Sequence, residues 1–195
     1  MAAVPVLAFF DFVCPFSYVT EAALWRRASA GGVKVDARAF ELYPAPAPPA
    51  LPPALPPALL ELAAVEGVAL RPPPALPRTR KAHELAAFAR EHGSEPVLRR
   101  ALYAAFWAEG RDLGRIDVLV ELAAAAGLPA EDARIALDID RFAEHVARDR
   151  ALAEQLGVEA TPALAVGAGA RARYLLGAQP YAALDEALRA AAGAA

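Results

Sequence analysis

Cysteine is nearly absent from this chain of 195 residues: Cys14 is the only one, so no internal disulfide can form. Histidine is scarce too. His83, His92 and His145 are scattered along the chain, and with one thiol they do not make up the ligand set of a structural zinc site. A dominant charge of one sign is also missing. Lys and Arg number 20 against 23 Asp and Glu, a net charge of -3, and the arginines are spread rather than gathered into a block, which excludes nucleic acid as a partner. No long apolar run is present. The stretch 4–10 is far too short to span a bilayer, and it has neither a preceding Lys or Arg nor a small-residue cleavage pattern, so it reads as a first strand and not as a membrane or targeting segment. The expectation is a cytoplasmic, reducing location, as a monomer or a homodimer.

What is present is a large apolar fraction, 57% of residues, enough to bury a core without staples and to build one domain or a domain carrying an insertion. Residues 4–11 form a compact apolar run, and 33–42 alternate apolar with polar side chains as a half-buried strand does. Between them, 16–30 are good helix formers closed by Gly31 and Gly32. The opening is therefore strand, helix, strand, with the strands parallel.

From 43 to 57 each proline removes a backbone donor and biases its predecessor toward extended geometry, so no strand or helix interior fits. A ligand for a polyproline-binding domain is one reading of this stretch; a stiff loop wrapping the surface is the better one. A second cluster, 72–77, precedes a helical region in which 81–91, 95–108, 117–126 and 141–156 each space apolar residues by three and four. Leu102, Tyr103, Phe106 and Trp107 there suit either core or a pocket wall. After Gly157 the pattern returns to strands, 163–166 and 173–176, joined by a short turn at 167–170 that makes them antiparallel, and a last helix spans 181–192. The fold class is α/β in three layers around one sheet.

The chemistry centres on Cys14-Pro15-Phe16-Ser17, where the first strand ends and the first helix begins. A thiol there faces unpaired backbone N–H groups and the positive end of the helix dipole, which predicts a pKa below that of a free cysteine, about 8.5. Pro15 suits the first turn, where its missing N–H would be unpaired anyway. A buried, inert cysteine is the alternative reading. Ser17 stands where a redox dithiol would carry its second sulfur. With one thiol the protein can form a mixed disulfide but has no internal group to resolve it, so an external thiol must release it. Ser17 is either a hydrogen-bond donor to a thiolate or an ordinary first-turn serine. A second constellation, Gly157-Val158-Glu159-Ala160-Thr161-Pro162, leads into the third strand, and proline statistics alone favour a trans Thr161–Pro162 bond.

Five segments together resemble the DsbA-like family nearly end to end: the strand-Cys-Pro-x-x-helix opening, Phe40-Glu41-Leu42-Tyr43-Pro44, the run from Ala105 through Trp107 to Gly114, Gly157-Val158 through Thr161-Pro162, and Gly177-Ala178-Gln179-Pro180-Tyr181. The similarity is to the FrnE-like branch, related to 2-hydroxychromene-2-carboxylate isomerases and kappa-class glutathione transferases. It implies a thioredoxin-like fold formed by 1–44 and 157–195, with residues 45–156 inserted as a proline-rich loop and helical domain between the βαβ and ββα halves. It also implies a cis Pro162 facing Cys14, with the Thr161 backbone pairing with an extended peptide or with glutathione. The redox branch usually carries Cys-Pro-x-Cys, whereas the isomerase and transferase branch has serine at the first position and uses bound glutathione as its thiol. Cys14 and Gly177-Ala178-Gln179-Pro180 match the former; the missing second cysteine departs from it.

Three functions follow as expectations. The first is a monothiol thiol-disulfide oxidoreductase acting on a small thiol or disulfide, with Cys14 and Ser17 catalytic, Pro15, Phe16, Thr161, Pro162 and Trp107 binding substrate, no tightly held cofactor, no metal, and glutathione as co-substrate. The second is a glutathione-dependent isomerase or transferase in which Ser17 activates the bound thiol beside Trp107. The third is a thiol- or peptide-binding protein without turnover.

Overall fold

The computed structural model describes residues 3–44, 54–179 and 181–193. Strand β1 (Val4–Phe10), helix α1 (Pro15–Ser29) and strand β2 (Val33–Ala39) open the chain; helices α2 (Pro57–Glu66), α3 (Arg80–Glu91), α4 (Glu95–Trp107), α5 (Ile116–Ala125), α6 (Ala130–Asp138) and α7 (Ala143–Gln155) follow. Strands β3 (Ala163–Val166) and β4 (Arg173–Leu176) and helix α8 (Tyr181–Ala192) close it. The sheet runs in the order β2-β1-β3-β4. β1 and β2 are parallel from Val4 opposite Val33 to Phe10 opposite Ala39, while β3 pairs antiparallel with both β1 and β4.

Side-chain alternation along β1 divides the layers. Val4, Val6 and Ala8 pack with Ala23 and Leu24 of α1 and with Leu184, Ala187 and Leu188 of α8, whereas Phe9 turns the other way, toward Phe40 and Ala153 of α7. β1 is thus covered on both faces, which is why its sequence is an apolar run and not a strict alternation. The largest apolar cluster joins Phe10, Phe12, Val13, Tyr18 and Ala37 to α3, α4, α5 and α6. The helical segment therefore shares one core with the sheet. A buried ion-pair network reinforces the junction: Arg99 donates to Glu21 of α1 at 2.8 Å and to Glu95 at 2.9 Å, while Arg90 bonds Glu95 at 2.7 Å and the Ala37 carbonyl of β2.

Several local expectations need correction. β2 stops at Ala39 instead of running to Leu42. β1 ends opposite it at Phe10, whose carbonyl still accepts the Phe40 N–H at 3.0 Å, and beyond that the Leu42 N–H turns to the Asp11 carboxylate at 2.7 Å. α2 and α6 lie in stretches that the apolar spacing does not single out. α2 places Pro57 at its first helical position, where proline costs no hydrogen bond, and ends at Gly67 with φ +68°. α6 is only nine residues long and begins with two acids in its first turn, too short for a clear apolar period. The β3–β4 connection contains a 3₁₀ turn, Gly169–Arg171. Residues 45–53 of the first proline-rich stretch lie outside the described residues.

Candidate active site

Cys14 is the N-cap of α1, with extended backbone (φ −89°, ψ 112°) and Pro15 at the first helical position. Its carbonyl accepts the first helical bond, from the Tyr18 N–H at 3.2 Å, and its own N–H closes a turn onto the Asp11 carbonyl at 3.1 Å. The Asp11–Cys14 loop is held from behind by the inserted helices. Tyr103 donates its hydroxyl to the Asp11 carbonyl at 3.3 Å, and Trp107 donates its indole N–H to the Phe12 carbonyl at 2.9 Å. The Asp11 carboxylate, fully buried, lies 3.3 Å from His83 Nε2 through one oxygen and accepts the Leu42 N–H through the other. Phe12 packs between the rings of His83 and Tyr103, and Tyr18 stacks on Tyr103 at 5.2 Å. A loop that must present a reactive group is thereby fixed by backbone hydrogen bonds that sequence neighbours could not supply.

The Cys14 thiol donates to the Thr161 carbonyl at 3.2 Å. The Thr161–Pro162 bond is cis, as the family resemblance implies and against the trans reading that proline statistics favour. The Pro162 carbonyl accepts the Gly177 N–H at 2.8 Å, tying this segment to the end of β4. Ser17 is buried, and its hydroxyl lies 3.5 Å from the Asp11 N–H.

The charge state of the sulfur departs from the sequence expectation. Burial pushes the Cys14 thiol up from its ordinary value, and the nearby Asp11 carboxylate adds to the effect. Hydrogen bonding by the side chains of Ser17 and Thr161 and by the Ser17 backbone acts the other way without overcoming it. Helix-terminus placement favours a thiolate, but that electrostatic gain is smaller than the cost of removing the anion from water at 5% exposure. The Tyr43 phenol is pushed up by burial as well, with Cys14 contributing.

A cavity of about 410 Å³ opens over the sulfur. Of the residues expected at the site, Cys14, Pro15, Phe16, Trp107 and Thr161 line it together, while Ser17 and Pro162 are buried and do not form its wall. The rest of the wall is Val13, Leu42, Tyr43 and, from the proline-rich segments, Leu55, Pro72 and Leu76 among others. The proline geometry implies a surface loop and punctuation there; the absence of charge around 54–56 and 72–76 is the sequence signal that these residues face an apolar space. Asp11 and His83 were also missed, because nothing local marks a buried carboxylate that bonds backbone 31 residues away. Among the described residues no group of three or more His, Cys, Asp or Glu could hold a metal ion, and no helix is long and apolar enough to cross a membrane.

A mixed sheet whose central strand β1 is covered on both faces, a cysteine capping the helix after it, and a cis proline across from that cysteine define a thioredoxin-like fold with a thiol site. The model of the DSBA-like thioredoxin domain matches residues 5–189, and the chain belongs to that family. The crystal structure of a probable DsbA oxidoreductase from Streptomyces coelicolor is similar over 97% of this chain and 90% of its own, with 31% identity and a TM-score of 0.82. The structure of a 2-hydroxychromene-2-carboxylate isomerase shares the fold at 16% identity, covering 95% of this chain and 94% of its own with a TM-score of 0.77. An uncharacterized protein of Bacillus subtilis, YwbO, is 29% identical over 175 residues, 84% of this chain and 87% of its own length.

Proposed function

We propose that this protein is a thiol-disulfide oxidoreductase that works as a monothiol through Cys14. The observation that carries the reading is the placement of the only thiol of the chain at the head of α1, bonded to the carbonyl before cis-Pro162 and opening into a cavity. The likeness to a probable DsbA oxidoreductase at 31% identity supports it. The Cys14 thiolate attacks one sulfur of a disulfide, forming a mixed disulfide and expelling the other half as a thiolate, which takes up the proton Cys14 has lost. Because a disulfide has no S–H, the Thr161 carbonyl then loses its resting donor and becomes an acceptor for an N–H or O–H of the bound half. Ser17 cannot displace that half as a second cysteine would. A small thiol from solvent, such as glutathione in a reducing cytoplasm, attacks the substrate sulfur, leaves as a new disulfide with it, and restores the Cys14 thiolate. The raised pKa lowers the thiolate fraction at neutral pH while making each thiolate more nucleophilic.

Incubation with dithiodipyridine should give one adduct on Cys14, visible by mass, that persists until a small thiol is added. Ser17→Cys should clear the adduct without added thiol and gain disulfide reductase activity. A Cys14 that forms no adduct, together with a Ser17→Cys variant that gains nothing, contradicts the reading.

One observation favours a second function, glutathione-dependent isomerase or transferase chemistry: the Ser17 side chain favours the anionic form of the sulfur at the head of α1, and would do the same for a bound thiolate placed there. Glutathione-dependent turnover that survives Cys14→Ser and is lost in Ser17→Ala would select it.

A further inference from the structure

Resting on the exchange reading, we infer that the substrate half seated beside Cys14 is an uncharged, apolar thiol or disulfide, and that glutathione acts on it from solvent without occupying the cavity. Among the described residues no Asp, Glu, Lys, Arg or His lines the cavity; the ionisable groups among them are the Cys14 thiol and the Tyr43 phenol, both of which burial holds in their neutral forms. The wall segments are uncharged in sequence as well, since residues 54–60 and 72–77 contain no Asp, Glu, Lys, Arg or His.

Charged groups near the rim have other engagements, the wrong sign or no place in the wall. Glu41 is held by Arg78 through two bonds of 2.9 and 3.1 Å. Asp11 lies behind the sulfur as an anion that opposes a second negative charge. Arg71, next to Pro72, is exposed and does not line the cavity. Glutathione carries two carboxylates and an ammonium at neutral pH, and seating them here would strip their water without offering a partner. A neutral body loses no such hydration and covers the carbon surface of Phe16, Leu55, Leu76 and Trp107. The volume, about 410 Å³, falls in the range of small-molecule pockets.

The test compares two aromatic disulfides of opposite character, neutral dithiodipyridine and dianionic dithiobis(nitrobenzoate). The second-order rate of each with wild-type Cys14 is divided by its rate with free cysteine at the same pH. The thiol is common to both reactions, so its pKa cancels in the comparison. The normalised rates should favour the neutral reagent by about 10²-fold, the scale on which an unpaired buried charge is penalised. Leu76→Arg, which places a cation in the wall, should shrink that preference at least severalfold.

Equal normalised rates overturn the inference and leave the exchange reading standing. So does a preference for the dianion that disappears in Arg71→Ala, because a rim cation would then be doing the selecting. A Cys14 inert to both reagents defeats the exchange reading itself and is told apart by that silence.

Discussion

Behind the loop that carries Cys14, Asp11, His83, Glu21, Glu95 and Arg99 are buried together, and most of their polar atoms hold one another or a backbone group. In front of the same loop, the cavity wall has no Asp, Glu, Lys, Arg or His among the described residues. Burying charge is costly unless it is paired, so the two arrangements serve different ends. The polar back fixes the position of the loop and joins the inserted helices to the sheet. The apolar front leaves the choice of ligand to shape and desolvation, and it keeps the sulfur protonated at rest. Position and reactivity are thus set from opposite sides of one short segment.

The contrast breaks most sharply at Arg99. Arg99→Ala leaves Glu21 and Glu95 without their shared cation inside the α1–α4 junction, and the expected loss is about 3–5 kcal/mol of stability. Urea unfolding measures it. A loss below about 1 kcal/mol, the value typical of a surface pair, would show that the network does not hold the two parts together.

A smaller effect is expected at Asp11, which belongs to both sides. Asp11→Ala strands the Leu42 N–H and removes the partner of His83, at a cost of about 1–3 kcal/mol. The same change removes an anion that raises the Cys14 pKa, so the pH midpoint of Cys14 reactivity should fall even as the fold weakens. A destabilised variant with an unmoved or higher midpoint would separate the two roles and refute the electrostatic one.

Much of the fold was legible because its signals are local. The apolar run of β1, the alternation of β2, the helix formers of α1 and the short connection from β3 to β4 each act within a few residues. Cys14 at the helix start was legible for the same reason. Its protonation was not, because the residues that bury it come from the other end of the chain and from the inserted helices: Thr161 and Trp107 lie far from Cys14 in sequence, and no local pattern announces that they meet over the sulfur. The prolines show the same limit. Their geometry excludes a strand from 43 to 57, yet it does not say whether such a segment faces water or closes a cavity, and Pro56, Pro72 and Pro73 do the latter. The cis bond before Pro162 was carried by family resemblance alone, since the residue pair is compatible with either isomer.

The protonation of Cys14 also sets a stability window. Its folded-state pKa is raised above the unfolded one, so the contribution is fully present below the unfolded value, about 8.5, and is lost as the pH rises through the folded value. The protonated resting state is tested by the rate of Cys14 alkylation by neutral iodoacetamide as a function of pH, followed by mass on the native protein. A buried, protonated thiol gives a midpoint above about 8.5, the value of an ordinary cysteine, with a slow rate at neutral pH. A midpoint below that value would mean that the helix terminus prevails over burial and that Cys14 rests as a thiolate, contradicting the claim that a dry, uncharged cavity governs its chemistry.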